Sequence, residues 1–271
     1  MKEIAIEDKK RSPISWVPTL YFAMGLPFVM INMAATVMFR NLEISDAQIA
    51  FWTSLIMLPW TLKPLWSPFL EMYKTKKFFV ILTQTLTGLM FGLTALALNL
   101  PHFFAICIAI LAVIALSGAT HDIAADGVYM SALSKDDQAK YIGWQGAFYN
   151  IAKLVAQGGL VYVSGVLIKY FAGNIDGVTP FIQASSEHQA AVIAWMSILL
   201  FAGALMVAFG LYHIKFLPSE QKNENKVKPT FKETMDELVE TFIDLFRKRH
   251  IVYYICFIIL YRFAEGFVMK I

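Results

Sequence analysis

The run FFVILTQTLTGLMFGLTALALN, residues 78–99, holds no charged residue and is long enough to cross the hydrocarbon core of a bilayer. Several such runs recur along the chain. A segment in lipid must satisfy its own backbone N–H and C=O groups, so each run reads as a helix and not as a strand of an open sheet. Nor do the runs show the roughly ten-residue alternation of a membrane β-barrel. Composition agrees: 58% of the 271 residues are hydrophobic and 16% are charged, whereas a soluble domain carries about 25% charged residues. The fold class expected is an all-α polytopic membrane protein.

Seven hydrophobic segments are expected, at roughly 16–39, 48–70, 78–99, 102–133, 141–171, 189–213 and from 250 to Ile271. This gives a six-segment bundle over 1–213, a polar linker over 214–249 and a seventh span over 250–271. The net charge of +3 matters less than its segregation. Lys2, Lys9, Lys10 and Arg11 precede the first segment, Lys74, Lys76 and Lys77 lie between the second and third, and Lys135 and Lys140 between the fourth and fifth. The linker holds eight more basic residues, and the opposite loops carry almost none. The excess of Lys and Arg on one side places the N-terminus in the cytoplasm. The N-terminal tail lacks a cleavage signal, and the first run is too long for a signal-peptide core. Trp16, Trp52, Trp144 and Trp195 fall near predicted segment ends, where interfacial anchoring is the expected role. Within the linker, Thr230 and Glu233 have capping-box spacing. The apolar positions 231, 235, 238, 242 and 245 then predict an amphipathic helix lying on the inner membrane face.

Charged side chains inside such spans face a bundle interior or a hydrated cavity. Six are expected there: Lys63, Asp122, Asp126, Lys153, Arg262 and Glu265. Asp122 and Asp126 are four apart and share one helix face, whereas His121 points elsewhere. Two close carboxylates in an apolar surround do not both ionise easily, so one can hold a proton. The alternative is structural, with Asp122 or Asp126 paired to Lys63 or Lys153. His121 is a candidate relay or hydrogen-bond partner. Gly25 and Pro27 weaken the first helix, which makes Gly25 a candidate cavity position. Gln145, Asn150 and Gln157 form with Lys153 a polar stripe in the fifth segment, read as cavity-lining. Pro59, Pro64 and Pro68 predict kinks in the second. Cys107 and Cys256 both lie in apolar runs and read as packing residues. No metal set, cofactor motif, nucleophile constellation or nucleic-acid module is expected, so enzyme chemistry is not indicated.

At these residues the chain resembles the AmpG-like branch of the major facilitator superfamily, which includes muropeptide permeases and, more distantly, acetyl-CoA transporters. "YFAMGLPF" is similar to the family's "YFxQGLP", with Met24 where Gln is common. "LKPLWSPFLE" resembles "LKFLWAPLxD", so Lys63, Trp66, Pro68 and Glu71 match, Glu71 standing for Asp as a second structural charge. "SGATHDIAADG" resembles "xxATQDIAIDA", with His121 in place of Gln. The resemblance implies a twelve-helix, proton-driven importer of muropeptide or a related sugar-derived solute, multi-pass in a bacterial inner membrane. It implies that this chain carries the first half and the start of the second, with a C-terminal half missing. Its partners would be solute, protons and lipid. A transporter of another metabolite, or a membrane sensor or assembly subunit, remains open at this point.

Overall fold

The computed structural model describes residues 12–68, 70, 75–219, 231–257 and 260. The chain divides into two compact units, Met1–Lys222 and Asn223–Ile271. Every element of the described residues is helical, and five helices are long and apolar enough to cross a membrane.

Helix α1, Pro13–Asn41, contributes much of the core, with Leu20, Leu26, Ile31 and Phe39 fully buried. Pro27 lies inside it. Proline lacks an N–H and its ring crowds the preceding turn, and a π-helical stretch, Met30–Ala34, begins three residues later. Helix α2 starts at Asp46–Ile56, capped by Ser45, turns at Met57 and resumes as Leu58–Leu62 and a 3-10 turn, Lys63–Leu65. The single span expected over 48–70 is therefore broken. Pro59 and Pro64 each sit in the first turn of a new piece, where a missing N–H costs least.

Helix α3, Lys76–Ala97, is capped by Thr75, whose hydroxyl accepts from Phe78 N. A tight turn with His102 in the left-handed region (φ 59°) leads into α4, Phe103–Ala132. Helix α5, Lys135–Phe171, contains a second π-helical stretch, Val155–Leu160. Its N-cap is Ser134, so Lys135 and Lys140 lie in helix and not in the longer loop expected. The cap's hydroxyl accepts from Asp137 N, which starts the helix that early. Helix α6, Glu187–Phe216, is capped by Ser186.

In the first unit α3 packs between α4 and α6, α1 packs on α5 and α4, and α2 packs on α4. Lipid is as apolar as these helices, so close packing and polar contacts hold them together. At the α3–α6 crossing a Cβ on Gly88 would meet Gly203 O at 2.6 Å, and one on Gly203 would meet Gly88 O at 2.6 Å. Only glycine permits that approach.

Trp16 and Trp195 are fully buried, which corrects the expected anchoring role. Trp16 packs edge-on to Tyr129, with ring centroids 6.5 Å apart. Trp52 and Trp144 are exposed. Cys107 is buried and Cys256 exposed, both as free thiols.

In the second unit helix α7 spans Phe231–Arg247, with Glu233, Asp236, Glu240 and Asp244 all exposed. Residues 251–257 are helical again. Thr230, Glu71, Arg262 and Glu265 lie outside the described residues.

Gly203→Val is expected to lower the thermal unfolding temperature of the detergent-purified protein, since overpacking costs about 1–3 kcal/mol or more. Gly92→Ala is the control. Nothing lies within 4 Å of its added Cβ, so the melting temperature should hold or rise slightly, as alanine favours helix.

Candidate functional site

Helix α4 enters the bundle as an apolar rod and then, over 117–126, becomes its most polar stretch. Its carboxylates follow the four-residue spacing that places both on one flank. Asp122 is buried. Its Oδ2 accepts from Lys63 Nζ at 2.5 Å and from Trp60 Nε1 at 3.1 Å. Its Oδ1 is buried without a hydrogen-bond partner among the described residues. Trp60 and Lys63 stand three residues apart, so they present to the same side. The break in α2 puts them there. Gly118, one turn before Asp122, makes room for the Trp60 ring, which an added Cβ would approach to 2.9 Å. Phe28 of α1 closes over the same ring edge-on, at 5.2 Å between centroids.

Asp126 is half-buried. Its Oδ1 accepts from Tyr21 OH at 2.9 Å and from Gln145 Nε2 at 3.4 Å. The two carboxylates therefore tie α4 to different neighbours, Asp122 to α2 and Asp126 to α1 and α5. The pair joins a buried Asp122 to a half-buried Lys63, and such a pair gives little net stability, because its charges have been largely taken out of water. Removing one partner, by contrast, strands the other charge.

On α5, Lys153 is half-buried, with Nζ 4.6 Å above the Tyr149 ring, and it makes no ion pair among the described residues. Gln145 is half-buried, and Asn150 and Gln157 are exposed. Carboxamides set against hydrocarbon would be costly. Gly25 is buried, and its added Cβ would meet Tyr149 O at 2.7 Å and Ala152 Cβ at 3.0 Å. Its place is the α1–α5 crossing, and it presents no side to a cavity here.

His121 faces the opposite flank of α4 and is buried. Its Nε2 lies 2.9 Å from Gln84 Nε2 of α3, and Gln84 Oε1 lies 2.8 Å from His213 Nδ1 of α6. His213 Nε2 lies 3.0 Å from Thr19 Oγ1 of α1. Four helices thus meet in one buried polar chain. Beside it Thr87 donates to Ser117 Oγ at 2.9 Å, and Ser117 donates to Thr83 O at 3.0 Å. Among the described residues no group of three or more His, Cys, Asp and Glu side chains could hold a metal. Glu71, Arg262 and Glu265 fall outside the described residues.

Tyr21, Trp60, Gln84 and His213 are partners that the charges in the sequence did not single out. His213 carried a usable signal, being an imidazole near the end of an uncharged run that reaches Ile214. Neutral Gln84 and Thr19 carried none.

The family model described as Major Facilitator Superfamily matches residues 19–269. No curated protein matches the chain.

Lys63→Met and Asp122→Asn should each destabilise the protein, by less than the ~3–5 kcal/mol of a fully buried pair because Lys63 is half-buried. The double variant should lose less than the two together, because it leaves no stranded charge. Thermal unfolding of the four proteins in one detergent reads the coupling. Additive losses would show that the two side chains do not interact.

Proposed function

The chain belongs to the major facilitator superfamily, and from that premise we propose that it imports an anionic, sugar-derived solute, with muropeptide as first choice, together with protons. The observation that supports this reading is the Lys63–Asp122 pair at 2.5 Å. A proton taken up by Asp122 makes it a neutral acid and leaves Lys63 as a cation without its counter-ion. The anionic group of a solute can then take the place of the carboxylate. With Asp122 ionised, solute and side chain compete for the same ammonium. Proton and solute therefore each favour the binding of the other, and by linkage they do so equally.

Asp126 keeps the frame around this exchange, tying Tyr21 and Gln145 to α4. Lys153 supplies a second cation. Asn150 and Gln157 offer donors and acceptors for hydroxyl and acetamido groups. The Lys-rich ends of the helices face the cytoplasm of a bacterial inner membrane, which puts Asp122 in the inner half of the bilayer. Transport follows by rocking of the family's two half-bundles around a site near the midplane.

Cells expressing the full-length transporter, with both half-bundles, should accumulate labelled anhydromuropeptide, and a protonophore should abolish the accumulation. Asp122→Asn should abolish it too while protein still reaches the membrane, uptake being read per amount of membrane protein on an immunoblot. Uptake that survives the protonophore would exclude proton coupling. Absence of muropeptide uptake would shift the substrate to another sugar-derived anion.

A further inference from the structure

His121 and His213 stand on either side of one carboxamide. A primary amide has one donating end and one accepting end. Placed between two imidazoles, it requires a lone pair on the ring nitrogen that meets its N–H. It requires a hydrogen on the nitrogen that meets its C=O. In one arrangement Gln84 Nε2 donates to His121 Nε2 at 2.9 Å, and His213 Nδ1 donates to Gln84 Oε1 at 2.8 Å. His121 then keeps its hydrogen on Nδ1, and His213 Nε2 accepts from the Thr19 hydroxyl at 3.0 Å. A half-turn of the amide gives the second arrangement. His121 Nε2 donates to the carbonyl, Gln84 donates to His213 Nδ1, and His213 Nε2 donates to Thr19 Oγ1. The Thr19 hydroxyl then donates to Trp16 O at 3.2 Å.

Two rules follow. When both rings are neutral they carry the same tautomer, both with the hydrogen on Nδ1 or both with it on Nε2. When a proton is added, only the ring already donating to the carbonyl can take it, on its outer nitrogen. The other ring must keep a lone pair toward the amide N–H. His121, Gln84 and His213 are all buried, so bulk water does not relax the rule.

We propose that Gln84 joins His121 and His213 into a single buried proton-binding site, shared by α4 and α6, that holds one proton and never two. The charged groups acting on it are Lys63, on the His121 side, and Lys77, on the His213 side. Lys63 is neutralised by Asp122, and Lys77 Nζ donates to Leu217 O at 2.7 Å. Around the rings α1 contributes Thr19, and α6 contributes Tyr212, whose hydroxyl donates to Ser15 O. On the α3 and α4 side Thr83, Thr87 and Ser117 bond to one another. Turning the amide moves the proton-accepting position from α6 to α4, next in sequence to Asp122. The site needs no knowledge of the solute, so it stands or falls separately from the transport reading.

The test is nitrogen NMR of 15N-histidine-labelled protein in lipid nanodiscs. Of five histidines, His102, His188 and His250 are exposed. His102→Asn, His188→Gln and His250→Asn leave only the two rings of interest. Near neutral pH they should show one matched tautomer, and acidification should convert one ring to imidazolium, with one proton bound per protein. Gln84→Glu offers an acceptor to both rings, so both facing nitrogens should then carry hydrogen and two protons should bind. Mixed tautomers in the Gln84 protein, or both of its rings charging together, would overturn the proposal. Those two measurements decide it even if Gln84→Glu does not fold.

Discussion

A polar side chain inside a membrane bundle has no water to fall back on, so it must find a protein partner. That constraint organises the described bundle around nearly three turns of α4, residues 117–126. Asp122 and Asp126 reach α2, α1 and α5 from one flank. Ser117 and His121 reach α3 from the other, and through Gln84 they connect to α6. Each of the other five helices of the first unit is thus linked, directly or through one residue, to residues 117–126.

These bonds exist only because the backbones come close enough. Gly25 admits α5 against α1, Gly118 admits the Trp60 indole against α4, and Gly88 and Gly203 admit α3 against α6. Dispersion between apolar helices does not distinguish one crossing from another in lipid, but a missing Cβ does. The glycines set the helix separations, and the polar pairs then select the rotation of each helix about its axis. Leu26, Ile31, Phe39 and Leu111 fill what remains.

The helices were legible because an uncharged run has few alternatives in lipid, and Asp122 and Lys63 because a charge in such a run demands a reason. The rest was hidden for physical causes. The break at Met57 needs several prolines acting together, and a kinked helix and two short ones read alike in sequence. Trp16 and Trp195 sit near helix ends, as interfacial residues do, yet neighbouring helices cover them. Gln84 is the clearest case. Thr85, Thr94 and Thr120 in similar surroundings spend their hydroxyls on carbonyls one turn back, the usual local solution. Nothing in the sequence around Gln84 separates a residue with a partner more than a hundred positions away from one satisfied at home.

Because α4 is held from both flanks, a change at one carboxylate cannot be relieved by rolling the helix. A roll that carried Asp122 away from Lys63 would also drag His121 off Gln84 and Asp126 off Tyr21. The weaker attachment is the one to α2. It rests on Lys63 and Trp60 in a helix already broken at Met57, whereas α3 packs along α4 over much of its length. Neutralising Asp122 therefore loosens α2 first and leaves α1, α3, α4 and α6 moving as one block. The Thr19–His213 and Gln84–His121 bonds tie that block together on the side away from the ion pair.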